Sequence, residues 1–171
     1  MKAMNFMAAG ALALGLAFAS VNADAQTSSV RNMQGGPGIV VAASQNYNKL
    51  PKQAQSFLNR HFKGANVVKC EQYFTKNRYE VELSNGVDVE FDNNGKIVEI
   101  DAPDNQCLPA AAVKEVLHKR AYDRLVKDGL ANKVESVEFN KRGKACEIEF
   151  SIPEPDLYIF DIDGNFIAIA D

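Results

Sequence analysis

The sequence predicts an α+β protein: two tandem helix-plus-four-strand units forming an antiparallel sheet of about eight strands, with the helices on one face. Three observations carry this expectation. Period-two alternation of apolar and polar residues runs from Tyr79 to Asp101, broken only by Asn85-Gly86 and by Asp92-Asn93-Asn94-Gly95. Asn and Gly accept the positive φ that tight hairpin turns need. A helical apolar stripe, from Leu50 to Phe62, comes just before. The segment Phe160–Ile169 also superimposes without gaps on Phe91–Ile100, so one design is used twice. A single four-stranded sheet with one helix is a marginal core, and two such units side by side bury more.

Residues 1–25 read as a signal peptide. Lys2 supplies a positive start, Phe6 to Ala19 is apolar, and Ala23-Asp24-Ala25 is a small-x-small cleavage site. Cleavage near Ala25 would start the mature chain at Gln26 and deliver it to the periplasm or beyond. The apolar core is shorter than the roughly 20 residues a bilayer requires, and no later segment is long and apolar enough to span one. Residues 26–49 read as a flexible N-terminal segment. Gly35-Gly36-Pro37-Gly38 holds no regular element, and Ile39-Val40-Val41 would add a short edge strand.

The first unit, residues 50–106, opens at Leu50-Pro51, since proline suits the first helical position. Ala54, Phe57, Leu58, His61 and Phe62 share one helix face, Lys52, Gln55, Asn59 and Lys63 face water, and Gly64 ends the helix. Val67 to Phe74 is the next strand, with Val68, Cys70 and Phe74 expected to face inward. Tyr79, Val81 and Leu83, then Val87, Val89 and Phe91, then Val98 and Ile100 form the apolar side of three further strands.

The second unit, residues 107–171, opens at Leu108-Pro109 in the manner of Leu50-Pro51. Its helix is expected to run unbroken to Gly129 on the stripe Ala112, Val113, Val116, Leu117, Ala121 and Leu125. Val134 to Phe139 is a strand with Val137 and Phe139 inward. Cys146, Ile148 and Phe150 alternate with Glu147 and Glu149, matching Tyr79, Val81 and Leu83. Tyr158, Phe160, Ile167 and Ile169 are expected inward, opposite Leu157, Ile159, Phe166 and Ala168.

These residues and motifs resemble the PepSY-like family of exported bacterial proteins. The resemblance rests on the Leu-Pro helix start, the aromatic helix face, the Tyr79-x-Val81-x-Leu83 strand, the Asn85-Gly86 turn and the Asp92-x-x-Gly95 turn before the last strand. It covers Leu50 to Asp171. The second unit keeps the Leu-Pro start and the Asp161-Ile162-Asp163-Gly164 turn but lacks the Asn-Gly turn and has a longer helix. The resemblance implies the architecture of the β-lactamase inhibitor protein, a curved open sheet, and non-catalytic protein binding in the cell envelope. Related PepSY pro-regions are thought to restrain peptidases. The family motif carries no catalytic residues.

The composition narrows function further. A net charge of -3 is too small for a nucleic-acid footprint. There is no Ser-His-Asp set, HExxH, CxxC or glycine-rich phosphate loop, and the two histidines, His61 and His118, make no site. No enzyme activity, catalytic residue, metal site or cofactor is expected. The Asp92 and Asp161 turns lack the closing bidentate Glu of a calcium loop and read as Asx turns. Cys70, Cys107 and Cys146 allow three pairings with one thiol left over, or none, as buried apolar side chains. The basic helix residues Lys114, Lys119, Arg120, Arg124 and Lys127 read as a solvated face.

The candidate site is the open sheet face. Between Tyr79 and Asp101 there are seven acids and one lysine, a net of -6. Glu80, Glu82, Asp88, Glu90 and Glu99 would project to one side, where like charges on neighbouring strands repel. Glu147 and Glu149 continue the face beside an apolar patch of Leu157, Ile159, Phe166 and Ala168. An exposed apolar patch marks interaction sites. The expected partner is an unidentified envelope or secreted protein, with self-association through the patch as a further expectation. The alternative is a module that binds or senses a divalent cation on the carboxylates.

Overall fold

A computed structural model describes residues 46–140 and 144–170. The expected signal peptide and cleavage site, the expected Ile39-Val40-Val41 strand and the turn that Arg142-Gly143 predicts lie outside the described residues. Eight antiparallel strands lie side by side in sequence order: β1 (Val67–Tyr73), β2 (Arg78–Leu83), β3 (Asp88–Asp92), β4 (Ile97–Asp101), β5 (Val134–Phe139), β6 (Ala145–Phe150), β7 (Leu157–Asp161) and β8 (Phe166–Ala170). Helix α1 (Lys52–His61) precedes β1, and α2 (Ala110–Val116) and α3 (Lys119–Lys127) lie between β4 and β5. A single open sheet results, with β1 and β8 at its edges.

Alternation decides which side of each strand is buried. One row crosses the whole sheet through paired residues: Cys70, Val81, Val89, Ile100, Val137, Ile148, Tyr158 and Ile169. All but the last are buried. The helices bury Ala54, Phe57, Leu58, Ala112, Val113, Ala121 and Leu125 in the same apolar cluster. Phe57 meets Phe91 edge-on at 6.3 Å, so α1 lies over this side of the sheet.

Two turns bring the strands under helix starts. Asp92 Oδ1 accepts from the Asn94 and Lys96 amides, and Asp161 Oδ1 accepts from the Asp163 and Asn165 amides. Both turns are Asx turns, as the sequence predicts. Gly95 (φ +84°) sits so close to the start of α1 that a Cβ there would lie 2.8 Å from Pro51 Cβ and 2.9 Å from the Ala54 amide nitrogen. Gly164 (φ +75°) sits against His118 in the same way, 2.6 Å from Nδ1.

Four expectations need correction. The long second helix is two helices. Leu117 turns extended, and His118 caps α3 by accepting the Arg120 amide at its Nδ1. It is Leu117-His118, not Leu108-Pro109, that meets the glycine turn of its own strands. In β1 the register shifts between Val67 and Lys69. This bulge puts Val67 inside and leaves Val68 exposed, and Phe74 falls beyond the strand, 77% exposed. Gln55 and Asn59 do not simply face water: they hold the 3-10 turn Tyr47–Lys49 through the Tyr47 carbonyl and hydroxyl. Finally, Ile167 and Ile169 are exposed at 57% and 52%. Ile169 has the inward parity, opposite Tyr158, but no described element covers it.

Cys146 is buried, which pushes its thiol up to about 12, with the nearby Glu147 adding to the shift. A thiol so hard to ionise is a poor nucleophile. Exposed Cys107 lies 2.9 Å from the Ser151 hydroxyl.

Candidate functional site

The side of the sheet away from the apolar cluster carries two parallel rows set by strand register. The first is a ladder of six glutamates on six successive strands: Glu71, Glu80, Glu90, Glu99, Glu138 and Glu147. It ends on Ile159 and Ala168. The second runs Lys69, Glu82, Asp88, Asp101, Ser136, Glu149, Leu157 and Ala170. Neighbouring strands lie about 4.8 Å apart, so every carboxylate of the two rows except Glu149, which stands between Ser136 and Leu157, has a like charge opposite it on at least one side. The face therefore grades from acidic on β1 to β6 to apolar on β7 and β8.

Cations relieve only one end of the ladder. Lys69 Nζ donates to Glu80 at 2.8 Å and lies 3.5 Å from Glu71. Arg78 pairs with Glu90. The hydrogen bond from Lys69 holds the Glu80 carboxyl below its usual value and pushes the lysine up. No described cation lies within ion-pair distance of Glu99, Glu138 or Glu147. Burial, then Glu138 and Glu90, raise the Glu99 carboxyl. Burial followed by Glu82 and Glu80 raises Asp88, and burial followed by Glu135 and Glu149 raises Asp101. Glu80, Asp88, Glu90, Glu99 and Asp101 line a shallow depression of about 170 Å³.

The structure thus brings Glu80, Glu82, Asp88, Glu90, Glu99, Glu147 and Glu149 onto one face, with Leu157 and Ile159 half-buried at its apolar end. Phe166 is a correction. The register shifts at the Phe160 pairing with Phe166, and this bulge turns the ring to the helix side. There it packs against Tyr158 and Phe160, at 5.2 and 5.6 Å between ring centroids, with the Arg124 guanidinium 4.4 Å above it. Sequence reading missed Glu71, Asp101 and Glu138. Parity alone finds Asp101, two residues from Glu99. Glu138 is found only once β4 is known to pair with β5.

On the helix side, a cleft of about 280 Å³ lies among Gln53, Phe57, Lys96, Ile97, Glu115, Val116 and Phe139. At its rim Glu115 accepts from Arg60 Nε at 3.2 Å and lies 2.7 Å from His61 Nε2. This contact ties α1 to α2. His61 stacks on Phe57 at 4.8 Å, a packed position with no nucleophile beside it. Among the described residues, no three His, Cys, Asp or Glu side chains are placed to hold a metal ion. No helix there is long and apolar enough to cross a membrane.

An open antiparallel sheet of eight strands, with one helix before it and two between its fourth and fifth strands, is an α+β fold that agrees with the family found by comparison. The family described as "Putative beta-lactamase-inhibitor-like, PepSY-like" matches residues 42–99 and again 77–168. This chain belongs to that family. Three solved structures are similar. One is a "putative periplasmic protein of unknown function" from Bacteroides vulgatus, with 25% identity and a TM-score of 0.56 over 75% of this chain and 97% of the other. Another is a "putative calcium-regulated periplasmic protein" from Bacteroides thetaiotaomicron, with 28% identity and a TM-score of 0.57 over 72% and 92%. The third, from Bacteroides vulgatus, has 25% identity and a TM-score of 0.57 over 72% and 92%. No curated protein matches the sequence.

Proposed function

We propose that this is a non-catalytic exported protein that docks a basic protein partner on its open sheet face. The unrelieved end of the glutamate ladder carries this reading. Glu99, Glu138 and Glu147 have no described cation within ion-pair distance, only the weaker pull of Arg78 on Glu99, and a basic partner would supply the missing charge. Leu157 and Ile159 add apolar contact beside it, the usual combination of a desolvated centre and a charged rim. Membership of an inhibitor-like family supports an envelope enzyme or peptidase as the partner, and the similar periplasmic proteins support export after cleavage near Ala25.

The same reading includes a chain built of two tandem units. Leu50, Ala54, Leu58, Val67, Val81 and Leu83 recur 67 positions later as Leu117, Ala121, Leu125, Val134, Ile148 and Phe150, and all twelve are buried. On this matching the second unit, within residues 107–171, begins its repeat at Leu117, and α2 is part of the connection.

The test is capture of basic envelope proteins on the immobilised mature chain at low salt. The variant Glu99→Gln/Glu138→Gln/Glu147→Gln should lose the captured partner while melting no lower than wild type. Equal capture by the variant, or none by wild type, ends the proposal. A second reading follows from the similar protein described as calcium-regulated: the carboxylates around Asp88, Glu99 and Asp101, not placed to hold an ion as they stand, would be drawn together by a divalent cation. Titration calorimetry with calcium decides it, since absence of heat together with an unchanged melting temperature excludes this reading.

A further inference from the structure

The buried row that crosses the sheet ends abruptly on β8. Seven strands contribute a covered residue, and the eighth contributes Ile169, half in water. Ile167 beside it is equally bare. The strand reads Phe166-Ile167-Ala168-Ile169-Ala170, with no charge, no proline and no polar side chain. Edge strands of soluble proteins are normally blunted by charge, proline or a covering element, because their free amides and carbonyls recruit further strands.

The other edge is blunted. Strand β1 carries Lys69 and Glu71, and Asn46 Nδ2 donates to the Cys70 carbonyl at 3.1 Å. The interior of the sheet shows what β8 would accept. Strand β4 matches β8 residue for residue, with Ile97 to Asp101 standing where Phe166 to Ala170 stand, and β4 is paired on its far side by β5. The two strands differ in charge: Glu99 and Asp101 are replaced by Ala168 and Ala170. In β4 the acids face Glu138 and Ser136 of another segment. If a strand pairs with its own copy about this place, an acid at the position of Ala168 would meet an identical acid on the axis, and alanine removes that repulsion.

We propose that β8 pairs antiparallel with β8 of a second copy of this chain, extending the sheet across a two-fold axis near Ala168. Such a contact is isologous and closes at two. Around Ala168 it sets Ile167 of one copy against Ile169 of the other, on the side of the sheet that carries the helices. Both exposed isoleucines are then covered by one operation. Strand β1, with its carbonyl occupied and its charges in place, is a poorer acceptor, so a head-to-tail chain of copies is disfavoured. The contact involves short strands, so the dimer is expected to be concentration-dependent rather than permanent.

Disulfide trapping tests this in the mature chain carrying Cys107→Ser. Antiparallel partners lie about 4.5 to 5.5 Å apart between Cα atoms, within disulfide reach. Ala168→Cys should therefore form a covalent dimer on mild oxidation. Val68→Cys on β1, at a position more exposed than Ala168, should nevertheless form at least tenfold less. Adding Ile167→Lys and Ile169→Lys to Ala168→Cys should cut trapping at least tenfold without changing the far-ultraviolet circular dichroism. Equal trapping at positions 68 and 168 means random collision and overturns the proposal. So does trapping that survives the two lysines, or sedimentation of the mature chain into species that grow beyond two. Trapping that appears only after residues 26–45 are deleted would assign the edge to that segment and overturn it as well.

Discussion

Ile100 on β4 and Ile169 on β8 stand at matching places, each three residues after a bulge that follows a glycine turn. Ile100 is fully buried and Ile169 is 52% exposed. The chemistry of the two residues is identical, so neighbours make the difference. Strand β5 flanks Ile100 and pairs it with Val137, while no described strand lies beyond Ile169. Burial here is a property of position in the sheet, and the last strand of a row cannot acquire it from its own sequence. The largest expected contrast follows. Ile100→Ala should cost about 3 to 4 kcal/mol, as for other aliphatic truncations in a packed core. Ile169→Ala should cost under about 1 kcal/mol in dilute protein, where copies do not meet. Chemical denaturation of both variants measures this, and equal losses would mean that β8 is covered in the monomer.

The same contrast explains which features were legible in the sequence. Strands β2 to β4 are predicted well because alternation and turn chemistry agree over Tyr79–Asp101, and local signals suffice for hairpins. Helix α1 follows from its stripe. The break between α2 and α3 is invisible to periodicity, since Val113, Val116, Leu117, Ala121 and Leu125 keep helical spacing across it. The hint lay in Leu117-His118, which takes the place at Gly164 that Leu50-Pro51 takes at Gly95. The bulges in β1 and β8 reversed the parity assigned to Val68 and Phe166, because one extra residue flips every side chain beyond it. The face of Ile169 was readable; its exposure was not. The glutamate ladder was readable only in part. Its β2 to β4 rungs follow from hairpins, but the step from Glu99 to Glu138 crosses a connection containing two helices, and local pattern does not determine that register.

The two glycine turns differ in what crowds them, and this sets the next effect. At Gly95 an added Cβ meets proline carbon and helix backbone, which cannot move aside. At Gly164 the nearest atom is a side-chain nitrogen of His118. Both positions also carry the left-handed strain of about 1 to 2 kcal/mol for a non-glycine residue. Gly95→Ala should therefore cost about 3 kcal/mol and Gly164→Ala about 1 to 2 kcal/mol. His118→Ala should relieve part of the second and none of the first. A double-mutant cycle of 164 with 118 is expected to show a coupling of at least about 0.5 kcal/mol. Zero coupling would mean that the helix start and the turn are not packed as matching pairs.

The smallest effect compares two rungs of one ladder. Lys69 holds Glu80 below its ordinary value, so its charged form favours the folded state. That contribution is present above the ordinary carboxylate range and is lost as pH falls through the lowered value. Glu99 is the reverse. Burial and the neighbouring acids raise it, so its protonated form favours the fold, and that contribution is lost as pH rises through the raised value. Glu99→Gln should thus stabilise the protein at pH about 7 by roughly 0.5 kcal/mol, the scale of one cross-strand like-charge pair. The gain should vanish below about pH 4, where the unfolded carboxyl is also protonated. Glu80→Gln should destabilise slightly at neutral pH and matter little in acid. Melting temperatures of the two variants across pH 3 to 8 should therefore move in opposite directions from wild type at the neutral end and converge on it at the acid end. If Glu99→Gln instead melts below wild type at neutral pH, that carboxylate has a favourable partner, and the ladder has no unrelieved end for a basic protein to neutralise.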